Sequence, residues 1–428
     1  MKIITFVAQK HGFPMKYNTA TLPNGLRVIH RSCQSGVVYC GYQIAAGTRC
    51  EEPGEEGLAH FCEHVTFKGT ARRSSMQIIN MLERVGGDLN AFTNKETTVF
   101  YAALPKEHLA KAVDVLTDIV FCSTYPQQEI DKEVEVICDE IESYQDTPTE
   151  LIYDEFDNLI FAGHPLGHNI LGTSERVRQF TQADALRFTR RYYRPTLSVF
   201  FAYGDIDFQR LLQLLQKAAS KQGQSQTCLS YAERMPDALL LEAGESGKYH
   251  VIQRGTHQAH VMLGTRAYPF NHPLRLPLYV LNNLLGGPAM NARLNISLRE
   301  RRGLVYTVES AMTCYSDTGV WSVYFGCDPD DVKTCLRFIR RDLDNLMQNP
   351  LSDRQLQAAK RQLKGQISVS SDNRESFALD FGRSFLLDGH EHDLDRLCER
   401  IDAVSAQQIQ QVAQELFSPD RLTTLIIY

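Results

Sequence analysis

Two histidines and a glutamate stand together in the stretch His60-Phe61-Cys62-Glu63-His64. Within a helix, positions i and i+4 lie on one face about one turn apart, so both imidazoles can reach the same metal ion. Metal-dependent hydrolysis also needs an open coordination position for water and a carboxylate that takes the proton of that water. The spacing therefore predicts a hydrolytic metal site in which His60 and His64 bind the ion and Glu63 is the base.

A third ligand must come from elsewhere in the chain, because the pentapeptide alone often arises by chance. On a helix spanning 129–144, one face would carry Glu133, Val136, Ile137, Glu140 and Tyr144. An ionised carboxylate among apolar side chains costs several kcal/mol unless it meets a partner such as a metal ion or an arginine. The alternative is that this face is less buried than the pattern indicates. We predict Glu140 as the third ligand and Glu133 as an acceptor that orients a ligating imidazole.

The elements that must position these residues can also be predicted. Periodicity favours a helix over 58–67, a second helix over 76–85 and extended chain over 90–104. Pro23-Asn24-Gly25 indicates a hairpin near the start of the chain. Residues 107–188 are mainly helical in pattern, before a buried strand at 197–203.

The second half of the chain looks like a divergent copy of the first. Gly47-Thr48-Arg49, which follows a predicted strand, is matched by Gly264-Thr265-Arg266 after the strand-like residues 260–263. Likewise, 130–141 aligns with 356–367. Two copies of one α+β unit are the simplest account. The polar stretch within 220–230 is the best linker candidate, which predicts domains at 1–219 and 231–428.

Composition limits the class of protein and its surroundings. The 428 residues are 43% hydrophobic and 22% charged, as in ordinary globular proteins, and the net charge of −6 argues against a nucleic-acid-binding surface. Eleven scattered cysteines without a CxxC pair favour reduced thiols. The sequence contains neither a signal-peptide core nor a membrane-spanning apolar run. We therefore expect a cytoplasmic protein with no membrane partner.

Further motifs extend the pattern around the histidines. Gly57-Leu58-Ala59 precedes them, Phe67-Lys68-Gly69-Thr70 follows them, and Glu140 comes 76 positions after His64. Other pieces are the stretch 86–93, Tyr193-Arg194-Pro195 and the stretch 299–306. Together these motifs resemble the pitrilysin/insulinase and mitochondrial-processing-peptidase group of inverzincins, the HxxEH zinc peptidases. The resemblance runs from about residue 17 to residue 325.

The resemblance implies a fold, an activity and roles for individual residues. The implied fold is α+β, with two homologous α/β-roll domains of the LuxS/processing-peptidase-like metallohydrolase type, each a mixed, mainly antiparallel sheet packed with helices. The implied activity is that of a zinc metalloendopeptidase, with Zn²⁺ held by His60, His64 and Glu140. Glu63 would then activate the water that attacks a peptide carbonyl, and Glu133 would support a ligand.

The resemblance also implies residues that bind the peptide substrate. Arg299 and Tyr306 would bind the peptide and stabilise the tetrahedral oxyanion. Asn90 and Ala91 would bind an extended peptide backbone as an added strand. Without the resemblance, Arg299 reads as a solvated surface charge, Tyr306 as a core aromatic and Asn90 as the end of a turn.

The second half lacks the metal ligands. By the alignments above, His60, Glu63, His64 and Glu140 correspond to Pro277, Val280, Leu281 and Gln366, so one zinc per chain is expected, although cobalt or manganese can occupy such a site. The family encloses its chamber with four such units. The resemblance therefore implies a homodimer, with Arg299 and Tyr306 reaching the opposite subunit's zinc. A heterodimer with a similar chain is the alternative.

Other functions stay open at the level of sequence. The chain could be a non-catalytic peptide-binding or assembly subunit, or a processing protease dedicated to one precursor. The histidines of His164-Pro165-Leu166-Gly167-His168 lie in a predicted loop, which makes a second metal site improbable and leaves the role of His168 open.

Overall fold

The computed structural model describes residues 17–220, 248–387, 389–391 and 393–428. These residues form two compact units: the described parts of 1–141, 169–234 and 370–392, and those of 142–168, 235–369 and 393–428. Apart from Ser220, the predicted linker 220–230 lies outside the described residues, so the domain boundary stays a prediction. No helix within the described residues is long and apolar enough to cross a membrane.

The first unit is built on a six-stranded sheet with the order β1-β2-β6-β3-β5-β4. The strands are β1 (Asn18–Thr21), β2 (Arg27–Arg31), β3 (Val37–Ile44), β4 (Asp88–Thr93), β5 (Thr98–Pro105) and β6 (Ser198–Tyr203). Its helices are α1 (Leu58–Thr66), α2 (Ser75–Glu83), α3 (Leu109–Cys122), α4 (Gln127–Gln145, as far as Ile141), α6 (Ser174–Val177), α7 (Gln182–Tyr192), α8 (Phe208–Ala219) and α12 (Arg374–Leu387). The predicted hairpin, helices and buried strand are present, and the extended chain predicted over 90–104 is divided by a turn at 94–97 into β4 and β5.

The second unit is built on a five-stranded sheet with the order β7-β11-β8-β10-β9. The strands are β7 (Tyr249–Ile252), β8 (Ala259–Ala267), β9 (Val305–Cys314), β10 (Gly319–Cys327) and β11 (Thr423–Ile427). The helices are α5 (Pro148–Ile160), α9 (Arg275–Gly286), α10 (Val332–Gln348), α11 (Asp353–Ser370), α13 (Leu394–Asp402) and α14 (Ala406–Leu416), and residues Asn295–Glu300 form a π-helical turn.

The two sheets repeat one topology, which confirms the prediction of two homologous α+β units. Without β1, the first sheet has the same strand order as the second, and the parallel pair β2 and β6 matches the parallel pair β7 and β11. The other strand pairs are antiparallel in both sheets. Helix α9 begins 217 positions after α1, and α11 begins 226 positions after α4. Both offsets are those of the sequence alignment.

One detail of the predicted repeat is wrong. Gly47-Thr48-Arg49 follows β3, as expected, but Gly264-Thr265-Arg266 lies inside β8. Strand β8 continues through its tripeptide, whereas β3 has already ended before the equivalent tripeptide. Short identical tripeptides therefore mark equivalent positions without sharing a conformation.

Each sheet is covered on one face by a helix from the other half of the chain. In β3, Tyr42 and Gln43 point to opposite faces because side chains alternate along a strand. Tyr42 contacts Thr117 of α3 through a 2.8 Å hydrogen bond, while the Gln43 amide donates to Leu379 O of α12 at 2.6 Å. In the second unit, the Arg266 guanidinium donates to Ile160 O of α5 at 3.0 Å.

Candidate metal centre

Helix α1 is fixed at its start by a buried carboxylate. Gly57 precedes the helix with φ +94°, and a Cβ there would lie 2.8 Å from Leu171 O, so the position requires glycine. The side chain of Glu51, only 9% exposed, accepts hydrogen bonds from the amides of Gly57 at 3.1 Å and Ala59 at 2.7 Å. These bonds satisfy amides that the first turn of a helix leaves unpaired, and they fix the turn that carries His60.

Helix α4 presents the second half of the site. Its apolar residues Ile130, Val134, Ile137, Cys138 and Ile141 are buried in the core of the first unit. Glu133 is buried with them, whereas the Glu140 side chain is 46% exposed and Val136 is 51% exposed. The expectation of a buried stripe is therefore wrong for Val136 and Glu140, and the alternative of a less buried face holds.

The three predicted ligands converge. Glu140 Oε2 lies 3.3 Å from His64 Nε2, and Glu140 Oε1 lies 3.8 Å from His60 Nε2. Each of the three residues offers one ligand atom, and these atoms lie within 4.8 Å of one another. Tetrahedral ligands at zinc-to-nitrogen and zinc-to-oxygen distances are separated by roughly 3.3 Å. Two imidazoles and one carboxylate at these separations fit a catalytic zinc ion, which keeps its remaining position for water or substrate.

Glu133 contacts one of these imidazoles, that of His64, at the ring nitrogen that does not face Glu140. Its Oε1 lies 3.0 Å from His64 Nδ1, so His64 Nε2 remains directed at Glu140. The other carboxylate oxygen of Glu133 lies 2.5 Å from Lys68 Nζ. Burial opposes ionisation of Glu133, but the hydrogen bonds with His64 and Lys68 outweigh it and lower its pKa. An ionised acceptor of this kind fixes the ring orientation and the tautomer of a ligating histidine.

In the metal-free protein, the pKa values of the two imidazoles shift in opposite directions. Burial, together with the neighbouring His64, lowers the pKa of His60 to about 4. Burial also disfavours the charged form of His64, but its hydrogen bonds with Glu133 and Glu140 raise its pKa to about 9. The hydrogen bond with His64 lowers the pKa of Glu140. At neutral pH, His60 is therefore neutral, Glu140 is ionised, and His64 is a positively charged imidazolium.

Glu63 lies beside the three ligand residues without belonging to their cluster. Burial raises the pKa of its carboxyl group, and Thr93 Oγ1 donates a hydrogen bond to Glu63 Oε2 at 2.5 Å. A raised pKa suits a group that must accept and return a proton near neutral pH. The three residues predicted as metal ligands thus lie together, with the carboxylate predicted as the base beside them.

Residues 27–174 match the family described as "Insulinase (Peptidase family M16)", and residues 179–363 match the "Peptidase M16 inactive domain". An uncharacterized zinc protease of Streptomyces coelicolor is 32% identical over 96% of this chain and 89% of its own length. The chain belongs to the M16 peptidase family. An uncharacterized zinc protease of Bacillus subtilis is 31% identical over 95% of this chain and 97% of its own.

Solved structures show the same M16 fold. A protease from Helicobacter pylori matches with a TM-score of 0.88 at 22% sequence identity, covering 96% of this chain and 99% of its own. A putative M16-like peptidase from Alicyclobacillus acidocaldarius matches with a TM-score of 0.84 at 20% identity, covering 97% and 99% of the two chains. The predicted family and fold class are both confirmed.

The predicted substrate residues of this M16 chain lie in two places. Asn90 and Ala91 are in β4, which pairs only with β5 among the described strands and so leaves one edge free. Arg299 lies in the π-helical turn of the second unit, with its guanidinium 5.7 Å from the ring centre of Tyr306 in β9. Tyr306 is 80% exposed, so its alternative interpretation as a core aromatic is wrong.

The contacts of two residues at the site do not follow from the sequence. Lys68 contacts Glu133 and Thr93 contacts Glu63, although both were noted only as parts of longer motifs. Nothing in their spacing pairs either one with its carboxylate, because the partners lie 65 and 30 positions away. The equivalents of His60, Glu63 and His64 in the second copy, Pro277, Val280 and Leu281, are buried apolar residues of α9.

Zinc binding to the metal-free protein is expected to release about one proton at pH 7. A ligating imidazole must be neutral, and His64, with its pKa of about 9, has to lose its proton while His60 does not. Isothermal titration of zinc in two buffers with different ionisation enthalpies measures this proton count. The release should fall as the pH rises through 9. A binding enthalpy that is independent of the buffer at pH 7 would contradict the assignment.

Replacing Glu133 by glutamine is expected to weaken zinc binding by roughly 10- to 100-fold, which is the usual cost of losing a partner of a ligating histidine. The amide lacks the charge that favours binding of a cation through His64. Competition with a chromogenic chelator measures the dissociation constant. Glu135→Gln is the matched control, because Glu135 is exposed on the same helix and pairs with Arg178 at 3.1 Å. Equal affinities for the two variants would rule out this role for Glu133.

Proposed function

We propose that the protein is a zinc-dependent endopeptidase that hydrolyses peptide bonds of oligopeptides or unstructured segments. The observation that carries the proposal is the cluster of His60, His64 and Glu140, with Glu63 beside it as a separate base. Membership of the M16 family, whose relatives include proteins named zinc proteases, supports the same chemistry.

Each residue has a distinct part in the proposed reaction. His60, His64 and Glu140 hold the zinc ion, one per chain, and zinc when bound supplies a Lewis acid that polarises a carbonyl and acidifies water. Glu63 removes a proton from the attacking water and returns it to the leaving amine. Asn90 and Ala91 on the free edge of β4 bind the peptide as an added strand. Arg299 and Tyr306 supply hydrogen-bond donors for the tetrahedral oxyanion.

A homodimer is part of the proposal, because the second copy lacks the metal ligands and the family's chamber needs four such units. In the dimer, Arg299 and Tyr306 of one chain would serve the zinc of the other. A cytoplasmic location is also proposed, and the scattered cysteines without a CxxC pair favour a reducing compartment.

A pool of quenched-fluorescent peptides tests the activity. The zinc-loaded protein is expected to cleave unstructured peptides and to lose this activity when a chelator removes the metal. A tightly folded protein of similar composition should resist cleavage. If zinc is bound and no member of the pool is cleaved, the proposed peptidase function fails, and a non-catalytic peptide-binding subunit explains the architecture better. Preference for one precursor over the whole pool would instead indicate a dedicated processing protease.

A further inference from the structure

The carboxylate of Glu63 is held by a single side chain. Thr93 Oγ1 donates to Glu63 Oε2 at 2.5 Å, and the described residues offer this carboxylate no other hydrogen bond. Hydrogen bonds from a hydroxyl to an ionised oxygen are among the stronger ones in proteins. The orientation of the proposed base therefore depends on where β4 places Thr93.

Thr93 itself has little freedom to move. Its side chain is buried, and branching at Cβ restricts its χ1 angle. It is the last residue of β4 and faces Thr98 across the strand pair. Thr98 Oγ1 donates to Ala46 O at 2.9 Å, and the amide of Asn94 donates to Thr97 O at 2.7 Å. Both strands are thus fixed at the point where the hairpin turns.

The segment Gly47-Thr48-Arg49 contacts and fixes the turn between β4 and β5. The amides of Thr48 and Arg49 donate to the carbonyls of Asn94 at 3.3 Å and Lys95 at 2.7 Å. A Cβ at Gly47 would lie 2.2 Å from Asn94 O, so only glycine allows this close approach. The Arg49 guanidinium adds an ion pair with Glu96 at 2.7 Å. A motif that had no assigned role therefore secures the connection that follows Thr93.

We propose that Thr93 is a positioning residue for the general base, and that β4 fixes the base and the peptide together. The inference rests on the proposed function, in which a peptide adds to the free edge of β4. Asn90 and Ala91 lie three and two positions before Thr93, respectively, on that strand. One rigid strand then sets the distance between the peptide backbone and the Glu63 carboxylate. Small misplacements of a reacting group are costly, with about 1 Å worth up to roughly 100-fold in rate.

Thr93→Val tests the proposal, because valine keeps the shape of the side chain and removes the donor. With one peptide that the full-length, zinc-loaded protein cleaves, we expect kcat to fall roughly 10- to 100-fold, while KM and the zinc content stay within about twofold. Thr93→Ser restores the hydroxyl and should recover most of kcat. In a Glu63→Gln background, Thr93→Val should cost nothing further, because residues that act as a unit are not additive.

Thr117→Val is the matched control, since Thr117 is also buried and its hydroxyl bonds to Tyr42 at 2.8 Å within the same unit. It should lower the melting temperature as Thr93→Val does and leave kcat unchanged. A kcat that is normal in Thr93→Val, or that Thr93→Ser fails to recover, overturns the proposal.

Crystal structures of the zinc-loaded wild type and Thr93→Val separate this proposal from the proposed function. They should show the Glu63 side chain leaving its rotamer in the variant. An unchanged Glu63 rotamer overturns the positioning role even if the wild type cleaves every peptide. A displaced Glu63 in a protein that cleaves nothing supports the positioning contact and refutes the peptidase function.

Discussion

Replacement of Glu63 by glutamine is expected to reduce peptide hydrolysis to a small residual rate while zinc stays bound. Glutamine preserves the size of the side chain and can still accept the hydrogen bond from Thr93, but it cannot take a proton from water. General-base catalysis contributes roughly 10²- to 10⁴-fold to enzymatic rates, so kcat/KM should fall at least that far. Zinc should remain because the ligand atoms come from His60, His64 and Glu140.

The measurement pairs cleavage of a fluorogenic peptide with the zinc content of the same sample. Glu83→Gln is the control, because Glu83 is an exposed glutamate at the end of α2. It should retain full activity and full zinc. If Glu63→Gln keeps a tenth or more of the wild-type kcat/KM with zinc bound, the base lies elsewhere.

Glu140→Gln is expected to produce the converse result, a protein that has lost zinc but keeps its base. Four-ligand zinc sites bind with about 10–16 kcal/mol, so the loss of one ligand should weaken binding by roughly 10²- to 10³-fold. The side chain of Glu140 is 46% exposed, so the fold should tolerate the change. Activity should be absent at stoichiometric zinc and should return in part at high zinc.

This recovery at high zinc distinguishes the two carboxylates, since no zinc concentration should restore Glu63→Gln. Asp139→Asn is the matched control, because Asp139 is the preceding residue on α4 and is exposed. It should bind zinc as the wild type does. Tight zinc binding in Glu140→Gln would remove Glu140 from the ligand set.

The sequence predicts the metal centre well because its ligands follow from local geometry. The i, i+4 spacing brings His60 and His64 onto one face of α1, and the periodicity of α4 brings Glu133 and Glu140 onto another. The exposure of Glu140 could not be predicted in this way. A helical wheel shows which residues share a face, but it does not show where the packed part of that face ends.

Contacts made across the fold were harder to predict. Thr93 reaches Glu63 because β4 packs against α1. Lys68, just after α1, reaches Glu133 of α4. Neither contact follows from the spacing of residues along the chain. The repeat predicts that the two sheets share one strand order, but it does not predict the order itself. No pattern in the sequence predicts which sheet α5 and α12 cover, because a helix with one apolar face can cover any sheet of suitable size.

The position of α12 along the chain has a consequence for folding during translation. Chains generally begin to fold from the N-terminus during translation, at about 5–20 residues per second. The face of the first sheet that carries Gln43 is covered by Leu379 and its neighbours. The unit with the metal ligands therefore cannot cover this face of its sheet until α12 has been synthesised, which begins 330 positions after the end of β3. Nascent chains that stop early should expose this face and depend on chaperones.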